Sequence, residues 1–190
     1  AAAPLMLATQ FEPTDARRMF PCMDEPTLKA NFSVRITVPA LSPPLMVLSN
    51  TRPTATTTTA APARTLVQFA PTRHPLPTYL LAIAVGRFDA IQQPADNVTF
   101  RVLTPPGHAA WAHHALNATI HAATLFGRMF ALPYSQMNDK LDSISVAAID
   151  MDAMENQGLL TYAPQMLLLD PDGQVLCLFP PDQCTTIIKI

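Results

Sequence analysis

Residues 151–158 read MDAMENQG, and this octapeptide lies between two short apolar runs, residues 143–149 and residues 159–162. Each run has the length and composition of a β-strand with both faces buried. Glu155 therefore lies between two predicted strands, where the chain leaves the edge of a sheet and returns to it. A strand-edge turn and a binding site both explain such a carboxylate, and the octapeptide alone leaves the two interpretations open.

Composition limits the class of protein. The chain has 190 residues, 49% of them hydrophobic and 14% charged, which is enough apolar material for one large domain or two small ones. The net charge of −2 and the absence of a basic cluster give no electrostatic basis for binding nucleic acid. Twenty prolines against five glycines favour short strands joined by stiff loops.

Both ends of the sequence resemble internal positions of a longer chain. Residues 1–8 lack the basic flank of a signal peptide, and no apolar run reaches the roughly 20 residues that span a bilayer. The chain starts without a methionine and stops within the apolar run of residues 187–190. We therefore expect a piece of a longer protein, in which a membrane anchor would lie outside these residues.

Strand signals fill the first half of the chain. Residues 28–38 alternate apolar and polar side chains, which predicts a half-buried strand. Residues 51–64 include four consecutive threonines and no core-forming pattern, so an exposed hairpin loop or an insertion is expected there. Further short apolar runs that predict strands are residues 45–50, 66–69, 78–85 and 98–103.

The chain changes to an alanine-rich, helical composition over residues 108–130. Spacings of three and four predict one apolar helix face. That face comprises Trp111, Ala115, Ala118, Ala122, Leu125 and Met129. A domain boundary is expected just before this part, between residues 88 and 97.

Cysteines and glycosylation sequons give weak information about the compartment. Cys177 and Cys184 could form a local disulfide with Cys22 as a buried thiol, and three reduced cysteines explain the sequence equally well. The sequons at Asn31 and Asn97, with a third at Asn117, favour a cell-surface or secreted protein slightly over a cytoplasmic one.

Few residues have the pattern of a self-contained catalytic site. The helix carries His113, His114 and His121, but no two histidines are four residues apart, as zinc ligands on one helix are. No Gly-x-Ser-x-Gly motif or phosphate-binding loop occurs. Asp24 is predicted to form an ion pair with Arg17 or Arg18 beside a turn.

Several segments, taken in order, resemble the M1 family of zinc aminopeptidases, the gluzincins related to aminopeptidase N. The resemblance covers about residues 5–170. The segments are residues 9–18 (TQFEPTDARR), 20–26 (FPCMDEP), 29–30 (KA), 79–88 (YLLAIAVGRF), 133–134 (PY), 140–142 (KLD) and 152–162 (DAMENQGLLTY).

This resemblance implies an α+β fold in two parts. Residues 1–96 would be the C-terminal part of an all-β, saddle-like N-terminal domain. Residues 97–190 would begin a thermolysin-like catalytic domain and stop just before the family's HExxH zinc motif. Zinc would be the cofactor of the parent protein, but its ligands and the general base lie outside this chain. No catalytic or metal-binding residue is therefore assigned here, and the isolated chain is expected to lack peptidase activity.

The resemblance also implies a substrate-binding role for residues 151–158. Its GAMEN motif forms an edge strand beside the substrate, and its glutamate, here Glu155, binds the α-ammonium group of a peptide. Glu12, in the TQFEP segment, matches the second acidic group of that site. Two carboxylates around one ammonium make charge-assisted hydrogen bonds that an internal peptide cannot replace. The other substrate-binding residues implied are Asp152, Ala153, Met154 and Asn156.

Two departures from the family pattern keep a second hypothesis open. Asp152 stands where the motif has glycine, and Gln157 stands where tryptophan is usual. Both change the peptide-facing segment, so a non-catalytic binding or scaffold protein of the same family is the alternative to an aminopeptidase. A truncated gene product with an exposed core face is a third possibility.

Overall fold

The structure is a computed structural model that describes residues 6–147, 149 and 151–170. Its helices are α1 (Ala16–Met19), α2 (His113–Met129), α3 (Tyr134–Met137) and α4 (Pro164–Leu167), with 3-10 turns at Thr78–Leu80 and Ala109–Ala112. Its strands are β1 (Met6–Ala8), β2 (Lys29–Ala30), β3 (Arg35–Pro39), β4 (Met46–Ser49), β5 (Pro53–Ala60), β6 (Ala63–Phe69), β7 (Leu76–Pro77), β8 (Ile83–Gly86), β9 (Asp89–Ala95), β10 (Val98–Thr104), β11 (Lys140–Ser145), β12 (Ala153–Met154) and β13 (Leu159–Tyr162).

A five-stranded sheet has the strand order β12-β13-β11-β10-β9, and β12 belongs to residues 151–158. β10, β11 and β13 run parallel to one another, whereas β9 and β12 pair antiparallel at the two edges. Parallel neighbours need a long crossover, and the chain makes it through α2 between β10 and β11. β12 is therefore an edge strand. Its second residue, Met154, begins residues 154–158 (MENQG), which we call the MENQG segment.

Both faces of the five-stranded sheet are covered. On one face, α2 packs on alternate residues of β10, including Phe100 and Val102. On the other face, Leu103 and Ile144 share a core with the three-stranded sheet β1-β8-β4. Because β11 lies between these two layers, all six of its residues are buried.

The remaining strands form two small sheets in the N-terminal half. The sheet β3-β6-β5 shares a core with β4 and β8 through residues such as Val67, Val47 and Val85. A two-stranded sheet pairs β2 with β7. The expected α+β class is confirmed, since sheets dominate the described residues and α2 is the one helix among them longer than four residues.

The threonine-rich stretch is exposed, as expected, but it is an ordered strand rather than a loop. Residues 53–60 form β5, which pairs with β6 in a hairpin, and all eight of its side chains are exposed. β-Branched threonine suits an extended edge strand, which explains the regular pairing despite the lack of apolar side chains.

The predicted apolar face of the helix is wrong in its C-terminal half. Leu125 and Met129 are 44% and 65% exposed. The buried stripe instead runs through Ala112 and Leu116 and continues into the partly buried Ile120. One residue along a helix is a rotation of about 100°, so the true face lies beside the predicted one.

Three predicted strands differ from the observed ones in their bounds. The alternating run of residues 28–38 divides into β2 and β3, and Asn31 lies between them, exposed and outside either strand. The run of residues 78–85 begins with a 3-10 turn before β8. β11 begins earlier than the predicted strand of residues 143–149 and ends at Ser145.

The expected boundary between residues 96 and 97 falls in a tight turn. Asp96 and Asn97 have positive φ values of 49° and 62°, and they connect β9 to β10 in an antiparallel hairpin. The two-domain division stays a prediction, and the pairing favours a boundary just before β9. No helix of the described part is long and apolar enough to cross a bilayer.

Candidate functional site

The MENQG segment holds Glu155 between two anchored neighbours. Met154 ends β12, pairs with Thr161 of β13 and is only 1% exposed. Asn156 is 2% exposed, and its carbonyl oxygen accepts a hydrogen bond from the Leu159 amide at 3.0 Å. Alternate side chains point to opposite sides of an extended chain, so Glu155 is exposed while both neighbours are buried.

Two other predicted residues lie just before the MENQG segment. Asp152 and Ala153 are both exposed. The Asp152 carbonyl oxygen accepts a hydrogen bond from the Ala163 amide at 2.9 Å, which ties the start of the segment to the end of β13. The Asp152 side chain therefore projects from a fixed backbone.

Glu12 lies on an anchored N-terminal segment. Thr9, just after β1, donates its amide to the Ile83 carbonyl at 3.0 Å, and the Thr9 hydroxyl accepts from the Ile83 amide at 2.9 Å. Phe11 is 2% exposed and packs with Ala16 and Leu81. The half-buried Glu12 follows directly, so its backbone is held from one side by the sheet and from the other by this small core.

The two segments, far apart in sequence, meet in the fold. The Gln10 side-chain amide nitrogen lies 3.2 Å from the Met151 sulfur atom, across a separation of 141 residues. In the part of the chain that the structure describes, neither Glu12 nor Glu155 makes a hydrogen bond or an ion pair. Two carboxylates without partners thus occur on adjoining segments.

Buried polar atoms with unused hydrogen-bonding capacity occur at the same place. Within the described ranges, Gln10 Oε1 and Asn156 Nδ2 are buried and have no hydrogen-bond partner. Burying an unpaired polar group costs about 1–3 kcal/mol, so such atoms are usually satisfied by a ligand or by water. Each adjoins one of the segments that carry the two glutamates.

Glu155 also lines a cavity of about 640 Å³. The walls of the cavity include Lys29 and His74, and also Gln157 and Gly158, which follow Glu155 closely in the chain. Glu12 is not among the residues that line it. The apolar part of the wall comprises Leu76, Leu80, Leu132, Met137, Leu141 and Leu160.

The turn that follows Glu155 rests on a buried polar cluster, which we call the Asn50–Lys140 cluster and which also includes Asn138. Lys140 Nζ donates to the carbonyl oxygens of Ser49 at 2.6 Å and Gly158 at 2.8 Å. Asn50 Nδ2 donates to the Gln157 carbonyl oxygen at 2.8 Å. Asn138 Nδ2 donates to the Asn50 carbonyl oxygen at 2.8 Å.

The charge of Lys140 is balanced by Asp142, two residues along β11. Lys140 Nζ lies 2.7 Å from the Asp142 carboxylate, which also accepts two hydrogen bonds of 2.6 Å from the Arg101 guanidinium. Burial alone would raise the pKa of Asp142, but Lys140 and Arg101 outweigh burial and hold that pKa below its ordinary value. The ionised carboxylate is thus the stable form beside the buried ammonium.

Sequence analysis assigned no role to this cluster. One signal was available: Lys140 and Asp142 are charged residues on the same face of a strand otherwise flanked by apolar runs. Such a pair in a buried strand indicates an internal ion pair. The pair's partners, the Ser49 carbonyl oxygen and the Arg101 guanidinium, lie on β4 and β10, and no local spacing pointed to them.

Asp24 confirms the predicted ion pair with Arg17. The Arg17 Nε atom lies 3.4 Å from the Asp24 carboxylate, and the Arg17 amide donates to the same oxygen at 3.1 Å. The Thr78 hydroxyl donates to the other carboxylate oxygen. Asp24 is therefore a structural residue that ties the loop after α1 to the turn before β8.

The described residues do not fit a zinc site. Across residues 6–147, 149 and 151–170, no group of three or more His, Cys, Asp or Glu side chains is arranged to hold a metal ion. Cys22 is a half-buried free thiol. Cys177 and Cys184 lie outside the described residues, as do residues 187–190.

Comparisons with known proteins agree on one family. The profile of the Peptidase M1 N-terminal domain matches residues 2–80, and that of the Peptidase family M1 domain matches residues 114–176. Aminopeptidase M1-A from Oryza sativa subsp. japonica is 37% identical over 166 residues, which are 87% of this chain and 18% of that protein.

Two further relatives show similar identity. Aminopeptidase N from Acetobacter pasteurianus is 36% identical over 167 residues, which are 87% of this chain and 45% of that protein. Puromycin-sensitive aminopeptidase from Caenorhabditis elegans is 38% identical over 167 residues, which are 87% of this chain and 17% of that protein. The chain therefore spans less than half the length of each of these relatives.

Proposed function

We propose, because this chain belongs to peptidase family M1, that it is part of a zinc aminopeptidase that removes amino acids from the N-termini of peptides. Its share of that function is recognition of the substrate's α-ammonium group by Glu12 and Glu155. Residues 152–156 lie along the peptide as an edge segment. This assignment combines the family with the placement of the two carboxylates on adjoining segments.

The observation that carries the proposal is the meeting of the two segments at Gln10 and Met151, which are 3.2 Å apart at their side-chain ends. Neither carboxylate has a hydrogen bond or an ion pair within the described residues, so a cation held by both segments would be stabilised by both carboxylates. An α-ammonium group has three N–H donors and can satisfy acceptors on both segments. A peptide bond in the middle of a chain lacks that charge, so the site selects peptide ends.

Asn156 and Gln10 support the same interpretation. Each has one buried polar atom without a partner in the described part of the chain, Nδ2 of Asn156 and Oε1 of Gln10. A peptide bound along β12 brings carbonyl and amide groups of its own. The donor and the acceptor can therefore pair with substrate backbone next to the charged site.

Zinc belongs to the parent protein in this proposal and would supply the Lewis acid that activates water. The described residues offer no ligand set for it. The role of this chain is accordingly limited to binding and orienting the peptide N-terminus. We expect the 190-residue chain on its own to show no peptidase activity.

The test uses the full-length protein that contains this chain and an aminoacyl anilide substrate. Replacing Glu155 by glutamine keeps the shape and removes the charge, and we expect kcat/KM to fall about 10- to 100-fold, since a hydrogen bond to a charged group is worth about 1.5–3 kcal/mol. Glu155→Ala should lower kcat/KM at least as far. Both variants should keep the thermal stability of the parent because Glu155 is exposed and makes no hydrogen bond or ion pair in the described part.

Glu25→Gln is the matched control, because Glu25 is an exposed carboxylate outside the two segments. We expect it to change kcat/KM by less than about twofold. Full activity of both Glu155 variants would remove the ammonium-binding role.

A non-catalytic scaffold is the second candidate function. Asp152 and Gln157 favour it, because each differs from the family's usual residue in the peptide-facing segment, and the exposed Asp152 adds a negative charge beside the substrate path. Zinc analysis of the purified full-length protein separates the two functions. About one zinc per chain with aminopeptidase activity supports the enzyme, whereas binding of peptides without zinc or turnover supports the scaffold.

A further inference from the structure

The Asn50–Lys140 cluster joins the turn after Glu155 to the N-terminal sheet. The carbonyl oxygens of Gln157 and Gly158 accept hydrogen bonds from Asn50 Nδ2 and Lys140 Nζ, both at 2.8 Å. These are the first two carbonyl groups beyond Asn156. The backbone immediately after Glu155 is therefore held by two buried donors rather than by the strand pairing of β12, which covers only two residues.

The opposite side of the cluster contacts the residues just before β8, in the sheet that also contains β1. Asn50 directly follows β4, and its side chain also donates to the Leu80 carbonyl at 2.8 Å and accepts from the Ala82 amide at 2.9 Å. Leu80 and Ala82 lead into β8. β8 pairs with β1, whose continuation is the segment of Glu12. One asparagine side chain thus contacts both the turn after Glu155 and the strand next to the Glu12 segment.

Gly158 shows how close the approach is. It has a positive φ of 81°, and a Cβ atom built on it would lie 2.0 Å from the Asn50 carbonyl oxygen. A side chain at this position would push the turn away from β4. The turn is therefore shaped to lie against Asn50.

The cluster has the properties of a rigid support. Lys140 Nζ has three N–H donors, and all three are used, by Ser49, Gly158 and Asp142. The side-chain amide of Asn50 donates to the carbonyl oxygens of Leu80 and Gln157 and accepts one hydrogen bond, from the Ala82 amide. A buried network with every member satisfied fixes one arrangement, since any displacement leaves a buried group unpaired.

We propose that Asn50 and Lys140 are positioning residues, which hold the turn after Glu155 against the N-terminal sheet and so fix the Glu155 carboxylate relative to Glu12. The inference rests on the proposed function of the two glutamates. An ammonium group bound by both needs them at a set separation, and misplacement of a binding group by about 1 Å can lower a rate by about 100-fold.

The test is a double-mutant cycle in the full-length protein, with Asn50→Ala and Glu155→Ala made singly and together. We expect Asn50→Ala to lower kcat/KM for an aminoacyl anilide about tenfold or more when Glu155 is present. In the Glu155→Ala background it should change kcat/KM by less than about twofold, because a residue that acts through Glu155 has nothing left to position.

Thr51→Val is the matched control. Thr51 is the next residue in the chain, and its hydroxyl donates to the Ala70 carbonyl, away from the turn. Thr51→Val removes one hydrogen bond just after β4 and should change kcat/KM by less than about twofold. Gly158→Ala is a second variant. It keeps every hydrogen-bonding side chain but forces the turn away from Asn50, so it tests the same contact if Asn50→Ala does not fold.

Hydrogen exchange at the Leu159 amide gives a readout independent of activity. This amide bonds to the Asn156 carbonyl at 3.0 Å and closes the turn. We expect it to exchange about tenfold faster in Asn50→Ala or Gly158→Ala than in the parent, and at the parent's rate in Thr51→Val.

The outcomes are distinct. An Asn50 effect of equal size with and without Glu155, or a Leu159 amide no faster than in Thr51→Val, overturns the inference and leaves the proposed function standing. A Glu155→Ala variant with full activity overturns the proposed function and this inference together.

Discussion

At the scale of single residues, Asp142 carries the clearest energetic consequence. It has no exposed surface, and its carboxylate lies between Arg101 and Lys140 at 2.6 and 2.7 Å. Removing it would leave two buried or half-buried cations without a counter-charge. Such a loss costs far more than breaking a pair in water, where solvent replaces the missing partner.

We therefore expect Asp142→Asn to lower the local opening free energy of the β11 amides by about 3–5 kcal/mol. Hydrogen exchange in the full-length protein measures this quantity. Asp139→Asn is the control, because the Arg52–Asp139 pair at 3.1 Å is 42% and 44% exposed and should be worth less than about 1 kcal/mol. Equal losses in the two variants would contradict the account of Asp142.

The same residue makes the stability of this region depend on pH. The pKa of Asp142 is lower in the folded than in the unfolded chain, where it is near 3.8. Below about pH 5 the unfolded form takes up the proton first, so the opening free energy falls as pH decreases towards the folded pKa. In Asp142→Asn this contribution is absent, and the acid slope measured at the β11 amides should be shallower. An unchanged slope would show that Asp142 does not titrate as described.

At the scale of elements, the sequence predicted that α2 is a helix but predicted only part of its buried face. Composition predicted the helix and its extent, because alanine-rich segments with three- and four-residue spacing form helices. The predicted apolar face was right for Trp111 and Ala115 and wrong for its C-terminal half. Leu125 and Met129 are apolar, but the sheet lies against the stripe of Ala112 and Leu116, and that contact depends on how β10 and β11 are placed.

A pair of substitutions distinguishes the two faces. Leu116 is 5% exposed and Leu125 is 44% exposed. We expect Leu116→Ala to lower the local opening free energy of the α2 amides by about 2–5 kcal/mol and Leu125→Ala by less than about 1 kcal/mol. Hydrogen exchange at the α2 amides measures both. A larger loss for Leu125→Ala would restore the face that the sequence predicted.

The strands follow the same division. The short apolar runs that became β4, β10 and β13 were predicted from local composition, since a buried strand needs little else. Residues 53–60, which form β5, were expected to belong to an exposed hairpin loop or an insertion because they have no core-forming pattern. The order of β5 comes from pairing with β6 across a hairpin. The composition of residues 53–60 alone does not show that the neighbouring strand pairs with them.

At the scale of the whole molecule, the N-terminal sheet and the five-stranded sheet meet beside Glu155. The β1-β8-β4 sheet and the five-stranded sheet share a core, and the Asn50–Lys140 cluster connects them beside Glu155. The resemblance to peptidase family M1 could be predicted from ordered motifs, whereas the roles of Glu12 and Glu155 stay a proposal. The connection between the segments could not be predicted, because it depends on Asn50, Gly158 and Lys140, which are far apart in sequence and carry no shared pattern.

We propose that Glu12 and Glu155 bind the same ammonium group, and a double-mutant cycle in the full-length protein measures the coupling between them. The measurement is kcat/KM for an aminoacyl anilide in the parent, Glu12→Gln, Glu155→Gln and the double variant. We predict a fall of about tenfold or more for each single change and a coupling energy of about 0.5–3 kcal/mol between them. Independent effects that simply multiply, or no effect of either change, would contradict the shared site.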